Sequence, residues 1–358
     1  MSRLTAEFKM RYLYDKSMNI KRRVFLNRCL YLAGASALRS KRADTVPPPV
    51  QRAEDGADYP GYLGLEKRGL LAGREEKLAA FYESCRLCPR NCRVNRLKGE
   101  KGICQATSSV KFSGAFPHFG EERPLVGRSG SGTIFFSHCG LRCVYCQNYA
   151  ISIEGEGIEV TEERLAETMV KVQSFGCHNI NLVTPTHYVP GIVRAVRLAA
   201  RRGLKIPLVY NTSGYETLET LELLDGVIDI YLPDFKYWHP AAAAKFSSNA
   251  YNYPYYAKLA LKEMHRQVGE LKVDERGIAV RGVVLRHLIL PHGIAGTEEV
   301  IKFIVSELSP KTYVNLMSQY RPEYKAMEYP EISRRLTRSE YAEALAWAKK
   351  YGLTRLDR

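Results

Sequence analysis

Seven of the nine cysteines in this 358-residue chain fall into two tight groups, and that clustering constrains the fold more than any other feature. The first group is Cys85, Cys88, Cys92 and Cys104; the second is Cys139, Cys143 and Cys146; Cys29 and Cys177 stand apart. A disulfide framework spreads cysteines along a chain to staple distant loops. Spacings as short as C-x2-C and C-x3-C instead put several soft donors on one loop, which is metal-site spacing in a reducing compartment. Cys177 reads as a small buried hydrophobe.

Around the cysteines the chain alternates short β-rich runs with helical ones, the pattern of an α/β protein with a parallel sheet. Six strands are predicted, at Gly132–Ser137, Asn179–Val183, Pro207–Asn211, Val227–Leu232, Val280–Leu290 and Thr312–Leu316. A helix is predicted with Thr161 as its cap and Leu165, Met169, Val172 and Phe175 on its core face, and another with Val300, Ile304 and Leu308 behind Glu298 and Glu299. A short helix around Arg74 to Tyr82 leads into the first cysteine group. Six βα units suit an open or partial barrel better than an eight-fold one, with a doubly wound sheet as the competing topology. Three segments follow: a basic arm or leader over 1–50, a four-cysteine metal-binding unit over 76–107, and a catalytic domain over 130–358.

The triplet Cys139-x3-Cys143-x2-Cys146 lies just past the first strand, where β/α barrels carry their active sites. Three thiolates in eight residues can hold three irons of a cubane cluster and leave one iron for a non-protein ligand. A closed zinc site needs a fourth ligand, for which His138 is the neighbouring candidate. The four upstream cysteines make a second metal site, with zinc and iron-sulfur both chemically sensible.

The triplet, with Tyr145 before its last cysteine, resembles the radical S-adenosylmethionine superfamily. Further segments resemble the pyruvate formate-lyase activating enzyme-like branch: CGLRCVYCQNYAIS from Cys139, NLVTPTHY from Asn181, VYNTSGY from Val209, DIYLPDFKY ending at Tyr237, RHLILP from Arg286 and VNLMSQYRP from Val314. The resemblance spans roughly residues 76–358 and implies a partial (β/α)6 TIM-type barrel. It implies that Cys139, Cys143 and Cys146 hold a 4Fe-4S cluster, that S-adenosylmethionine chelates the fourth iron, and that reductive cleavage yields a 5′-deoxyadenosyl radical that takes hydrogen from a substrate. A glycyl-radical enzyme is one such substrate. Tyr145 is expected near the adenine. Thr184 and Thr186 stand where many members carry a Gly-Gly-Glu turn for the cofactor's amino group; here the carboxylate is missing. Asn211 and Ser213 suit ribose hydroxyls, Asp234 and Lys236 belong near cofactor and substrate, and Arg286 is expected to pair with the cofactor carboxylate. His187 is a candidate to face substrate, against the plainer reading of a satisfied structural histidine. Gln319 and Tyr320 are further candidates for the barrel mouth.

The formal net charge of +15 raises the question of nucleic acid, but residues 1–47 alone carry 11 Lys/Arg against 3 Asp/Glu, about half of that excess. Lys21-Arg22-Arg23 ahead of a ten-residue apolar run resembles a twin-arginine leader, so cytoplasmic placement has periplasmic export as its alternative. No run is long enough to span a bilayer. Arg86, Arg90, Arg93, Arg96, Lys98 and Lys101 make the upstream unit basic. That face suits an acidic electron donor such as a flavodoxin or ferredoxin, or else nucleic acid in a non-enzymatic metal-binding protein; no nucleic acid is expected.

Overall fold

In the computed structural model, residues 59–357 are described. The leader-like segment and Cys29 lie outside them. Helices α1 (Gly61–Lys67) and α2 (Leu70–Ala79) come first, α2 running on through a 3-10 turn at Ala80–Tyr82. The Gly61 amide donates to Asp229 Oδ1 at 2.8 Å, and a Cβ at Gly61 would lie 2.5 Å from the Gly226 carbonyl oxygen, so only glycine brings α1 against the sheet here. Residues 85–104 contain one further 3-10 turn, Arg96–Lys98, and no other helix or strand.

The remaining elements are β1 (Val110–His118), β2 (Ser131–Phe136), β3 (Ile158–Val160), α3 (Glu162–Ser174), β4 (Ile180–Val183), α4 (Val189–Arg201), β5 (Leu208–Thr212), α5 (Leu218–Leu224), β6 (Ile230–Pro233), α6 (Pro240–Phe246), α7 (Tyr253–Val268), β7 (Lys272–Val273), β8 (Ala279–Leu288), α8 (Thr297–Phe303), β9 (Tyr313–Met317), α9 (Arg338–Lys350) and β10 (Arg355–Leu356). The sheet order is β10-β9-β8-β6-β5-β4-β2-β1-β3, with β7 on β8. From β2 to β9 every pairing along this path is parallel and the order never reverses. A doubly wound sheet reverses its order at a switch point, so this is the partial (β/α)6 barrel. All six expected strands are present. β5 and β6 are buried throughout, as strands covered on both faces must be.

Thr161 caps α3 by accepting from the Arg164 amide, with Glu162 and Glu163 in the first turn, and Leu165, Met169 and Val172 are buried. Phe175 departs from the expected core face: it is 53% exposed, because the helix ends at Ser174 and Gly176 in a left-handed conformation turns the chain away. Val300 and Ile304 are buried and Leu308, half-buried, packs against the same core, although beyond α8 the helix widens into a π turn at Ile304–Leu308. Among the described residues no helix is long and apolar enough to cross a membrane.

Candidate active site

The triplet loop leaves β2 through Ser137. His138 and Arg142 flank Cys139 with positive φ, 74° and 51°, a conformation that costs non-glycine residues free energy and gathers at functional sites. The thiols of Cys139, Cys143 and Cys146 lie within electrostatic reach of one another, and burial raises the pKa of each. Several groups oppose that rise. The backbone amides of Leu141 and Arg142 serve Cys139, and that of Asn148 serves Cys146. Ser247 Oγ stands 3.0 Å from Cys143 Sγ, Ser152 Oγ stands 3.0 Å from Cys146 Sγ, and the Lys236 ammonium acts on all three. Tyr237 continues the chain, its hydroxyl 2.9 Å from Ser247 Oγ. Tyr145 is buried edge-on between Tyr237 and Tyr320, with ring centroids 6.3 and 5.8 Å away, while the Tyr320 hydroxyl donates to the Ile332 carbonyl and Gln319 is exposed.

His138 packs on Gly155 and is not gathered with the cysteines into a metal-binding group; burial and then Lys111 lower its pKa to about 4.

Asp234 and Lys236 leave the end of β6. Lys236 Nζ donates to Asp234 Oδ2 at 2.6 Å, and its backbone amide donates to the Tyr253 hydroxyl at 2.8 Å. Burial alone would lower the lysine's pKa, but Asp234 and then Cys143 overrule it, so it stays charged. The Tyr253 hydroxyl also meets the carbonyls of Ser213 and Asp234, at 2.8 and 3.0 Å, and so ties the turns after β5 and β6 together. Arg286 on β8 is held by three side chains. Its Nε donates to Asp234 Oδ1 at 2.8 Å, one terminal nitrogen donates to Asn211 Oδ1 at 2.6 Å and the other lies 3.3 Å from Glu121 Oε2. Its fork thus joins the ends of β5 and β6 to the segment that carries Glu121.

The turn after β4 holds Thr184 at φ 59°, its amide donating to the Asn211 carbonyl. Thr186 Oγ1 donates to Glu216 Oε1 at 2.6 Å, Thr212 donates to the same oxygen, and the Tyr210 hydroxyl donates to Oε2. Glu216 thus brings a buried carboxylate to the turn after β4. Burial pushes its pKa up to about 7 against those three hydroxyl bonds. The buried His187 ring bonds the Ser137 carbonyl through Nε2 at 2.7 Å and packs tilted against Tyr188, and burial lowers its pKa to about 3.

The upstream cysteines sit against this loop. Cys85 and Val94 pair through their backbones, and the Cys85 and Cys92 thiols bond each other, the Cys92 thiolate being held down to about 6 by the Cys85 hydrogen. Cys88 is within electrostatic reach of Cys104, Cys92 and Glu216, and a Cβ at Gly140 would lie 3.7 Å from its sulfur. Arg90 spans the two groups, donating to the carbonyls of Gly140, Ser247 and Ser248 at 2.9, 2.8 and 2.7 Å. Arg96 is only 1% exposed; it donates to the carbonyls of Ala106 and His187 and approaches Cys104. Arg86 faces Glu219 at 3.3 Å. Of the six cations expected here, Arg90 and Arg96 donate to carbonyls of the fold, Arg86 pairs with Glu219 at the surface, and Arg93, Lys98 and Lys101 are exposed.

Among the described residues no three His, Cys, Asp or Glu side chains converge as a ready-made metal site. The triplet's donor set nevertheless fits a soft iron centre: three adjacent thiols, Cys143 buried and Cys139 and Cys146 half-buried, with amide and hydroxyl donors to their sulfurs and one ammonium to offset thiolate charge.

Residues 133–255, spanning β2 to the start of α7, match the family model described as Radical SAM superfamily. The chain is 34% identical to the uncharacterized protein MJ0674 of Methanocaldococcus jannaschii over 300 residues, 81% of this chain and 82% of that one. A second protein of that organism, MJ0808, is 23% identical over 279 residues, 70% of this chain and 77% of that one. Among solved structures, methylornithine synthase (PylB) aligns with a TM-score of 0.38 and 14% identity, covering 61% of this chain and 67% of that one.

Proposed function

The chain belongs to the radical SAM superfamily, and from that premise we propose an enzyme that cleaves S-adenosylmethionine reductively at a cluster held by Cys139, Cys143 and Cys146. Membership implies a 4Fe-4S cluster and S-adenosylmethionine. Bound together and supplied with one electron, they provide a 5′-deoxyadenosyl radical that abstracts hydrogen, with methionine as the other product.

The observation that carries the reading is the company of the three thiols. They share the loop after the first parallel strand, each sulfur is offered N–H or O–H donors, and Lys236 brings the charged network of the barrel mouth to them. The protein's own tasks follow from that arrangement. Lys236 and the hydroxyls of Ser247 and Ser152 stabilise thiolate charge in a low-dielectric site. Thr184, Thr186, Asn211 and Ser213 line the strand ends as polar groups for the cofactor, the first two oriented by Glu216 and by the Asn211 carbonyl. Asp234 and Lys236 stand where cofactor and substrate meet. Tyr145, within its aromatic cluster, shields the loop from water.

The six sequence segments favour an activating-enzyme-like role, with a glycyl-radical protein as one possible class of substrate and a flavodoxin or ferredoxin as electron donor. The upstream cysteines hold a second metal in this reading. The competing picture, a nucleic-acid-binding metal protein, is weakened by Arg90 and Arg96 donating to carbonyls of the fold.

The test is reconstitution with iron and sulfide, reduction, and incubation with S-adenosylmethionine. We expect 5′-deoxyadenosine and methionine in equal amounts. A cluster that assembles and is reduced yet yields no 5′-deoxyadenosine overturns the reading.

A further inference from the structure

A run of tyrosine rings leads without a break from the triplet loop to the surface. Tyr145 meets Tyr237 with ring centroids 6.3 Å apart, Tyr237 meets Tyr253 at 5.7 Å and Tyr253 meets Tyr215 at 5.7 Å. Tyr215 then meets Tyr256 at 6.3 Å, and Tyr256 meets Tyr255 at 5.2 Å. Every step lies within the separation at which aromatic side chains touch. Tyr145, Tyr237, Tyr253 and Tyr215 are buried, Tyr256 is half-buried and Tyr255 is 61% exposed, so the run starts beside Cys146 and ends in solvent.

Its inner end is coupled to the thiols. Ser247 Oγ stands 3.0 Å from Cys143 Sγ and 2.9 Å from the Tyr237 hydroxyl, and the hydroxyls of Tyr145 and Tyr237 bond each other. Farther out each buried phenol has its acceptor: Tyr253 donates to the carbonyls of Ser213 and Asp234, and Tyr215 donates to Asn252 Oδ1. Phenylalanine would fill these sites with no buried hydroxyl to satisfy. What a hydrogen-bonded phenol adds is an electron that can be removed while its proton shifts along the bond.

We propose that these six tyrosines form a conduit that fills an oxidising equivalent left at the triplet with an electron drawn from a soluble thiol at Tyr255. The inference rests on the radical reading for the origin of that oxidant, a radical that has failed to meet its substrate. Left in place, such an equivalent oxidises the cysteines, and beyond sulfenic acid the damage is irreversible. In the proposed step Tyr237 gives one electron to the oxidised centre while its proton moves toward Ser247; Tyr145 enters through Tyr237. Tyr253, Tyr215, Tyr256 and Tyr255 refill the vacancy in turn, and each phenol recovers its proton with its electron. At Tyr255 a thiol from solution supplies the last electron and releases its proton, and two of the resulting thiyls couple to a disulfide. The triplet has gained one electron and the thiol has lost one.

The test uses the full-length protein without iron or S-adenosylmethionine and carries Tyr237→3-aminotyrosine as a trap, because an aminophenol is oxidised more easily than a phenol and its radical has its own electron paramagnetic resonance spectrum. Tyr237 is 0% exposed, so photogenerated tris(bipyridine)ruthenium(III) in solution does not touch it. The aminotyrosyl signal is expected after the flash, and its loss is expected when Tyr215→Phe or Tyr256→Phe is added. Both substitutions keep the ring, and the half-buried Tyr256 supplies the break where Tyr215→Phe does not fold. A missing signal with the run intact, or an undiminished one in a folded, interrupted variant, overturns the proposal. S-adenosylmethionine cleavage is assayed separately on reconstituted wild-type protein. Cleavage without the trapped signal removes the conduit alone, and a trapped signal that depends on the run, without cleavage, removes only the radical reading.

Discussion

The two cysteine groups lie side by side, yet they are built differently. Upstream, the sulfurs face one another, Cys85 to Cys92 and Cys88 toward Cys104, on a backbone with little regular structure. At the triplet each sulfur is instead served by groups brought from elsewhere, Ser247 from beyond α6 and Lys236 from the end of β6. The first arrangement gathers donors. The second also supplies polarity around them, which tunes a reactive centre as well as retaining it. Arg90 joins the two, since its three acceptors are all carbonyls of the triplet's surroundings.

The largest effect should come from the cysteines themselves. Cys143→Ala is expected to abolish both the triplet's iron and the release of 5′-deoxyadenosine, whereas Cys88→Ala should spare them while removing upstream metal; metal content, Mössbauer spectra and product assays measure each. Equal loss of the triplet's cluster in both variants would erase the distinction between the groups.

Next in size is the joint. Arg90→Ala deletes three hydrogen bonds from a charged, half-buried group, worth about 2–4 kcal/mol together after allowance for solvent screening. The denaturation midpoint should fall accordingly, and Arg90→Lys should recover only part, because an ammonium cannot reach three carbonyls as a fork does. Wild-type stability in Arg90→Ala would mean that the two groups are not mechanically linked.

Glu216 lies between the regions, bonded to Thr186 and within reach of Cys88. Its pKa is raised from the ordinary 4.5 to about 7 in the folded protein. The native state therefore keeps a proton that the unfolded chain has released, and the stability this group contributes below pH 4.5 is lost as pH rises to 7. The loss is about 3 kcal/mol at most. Glu216→Gln should flatten that part of the stability profile, read as Tm against pH. An identical slope in both proteins would contradict the assignment. Asp229, raised to about 7 by burial, adds a slope of the same sign that the variant keeps.

The smallest effect is local. Ser247→Ala removes one hydroxyl shared by Cys143 and Tyr237, a cost of about 1 kcal/mol. The electronic spectrum of the reduced triplet cluster should change while that of the upstream metal stays the same.

The parallel strands were legible because buried strands read as unbroken apolar runs between turn residues. β1 was not, since Gly114 and Pro117 interrupt its pattern and it exists by pairing with β2 across a bulge. Asp234 and Lys236 could be named from their place at a strand end. Glu121, Glu122 and Glu216 could not, because each earns its partner through the tertiary fold: Glu121 meets Arg286 across 165 residues and Glu122 meets Asn315 across 193. Arg286 and His187 show the converse. Both were singled out by residue type, but what a guanidinium or imidazole does depends on whether other side chains have already engaged it. The one local cue to Glu216 was a carboxylate just past the Asn-Thr-Ser-Gly turn, and nothing in the chain said that it would turn toward Thr186.

A sheet that stops short of closing leaves free margins, and exposed strand margins invite other chains to stack on them. Here the terminal strands are stubs: β3 has three residues and β10 has two. Along β1, the stretch not covered by β3 carries the bulge at Gly114 and then Pro117, which has no amide hydrogen to offer. The fold can thus remain open without becoming a template for aggregation.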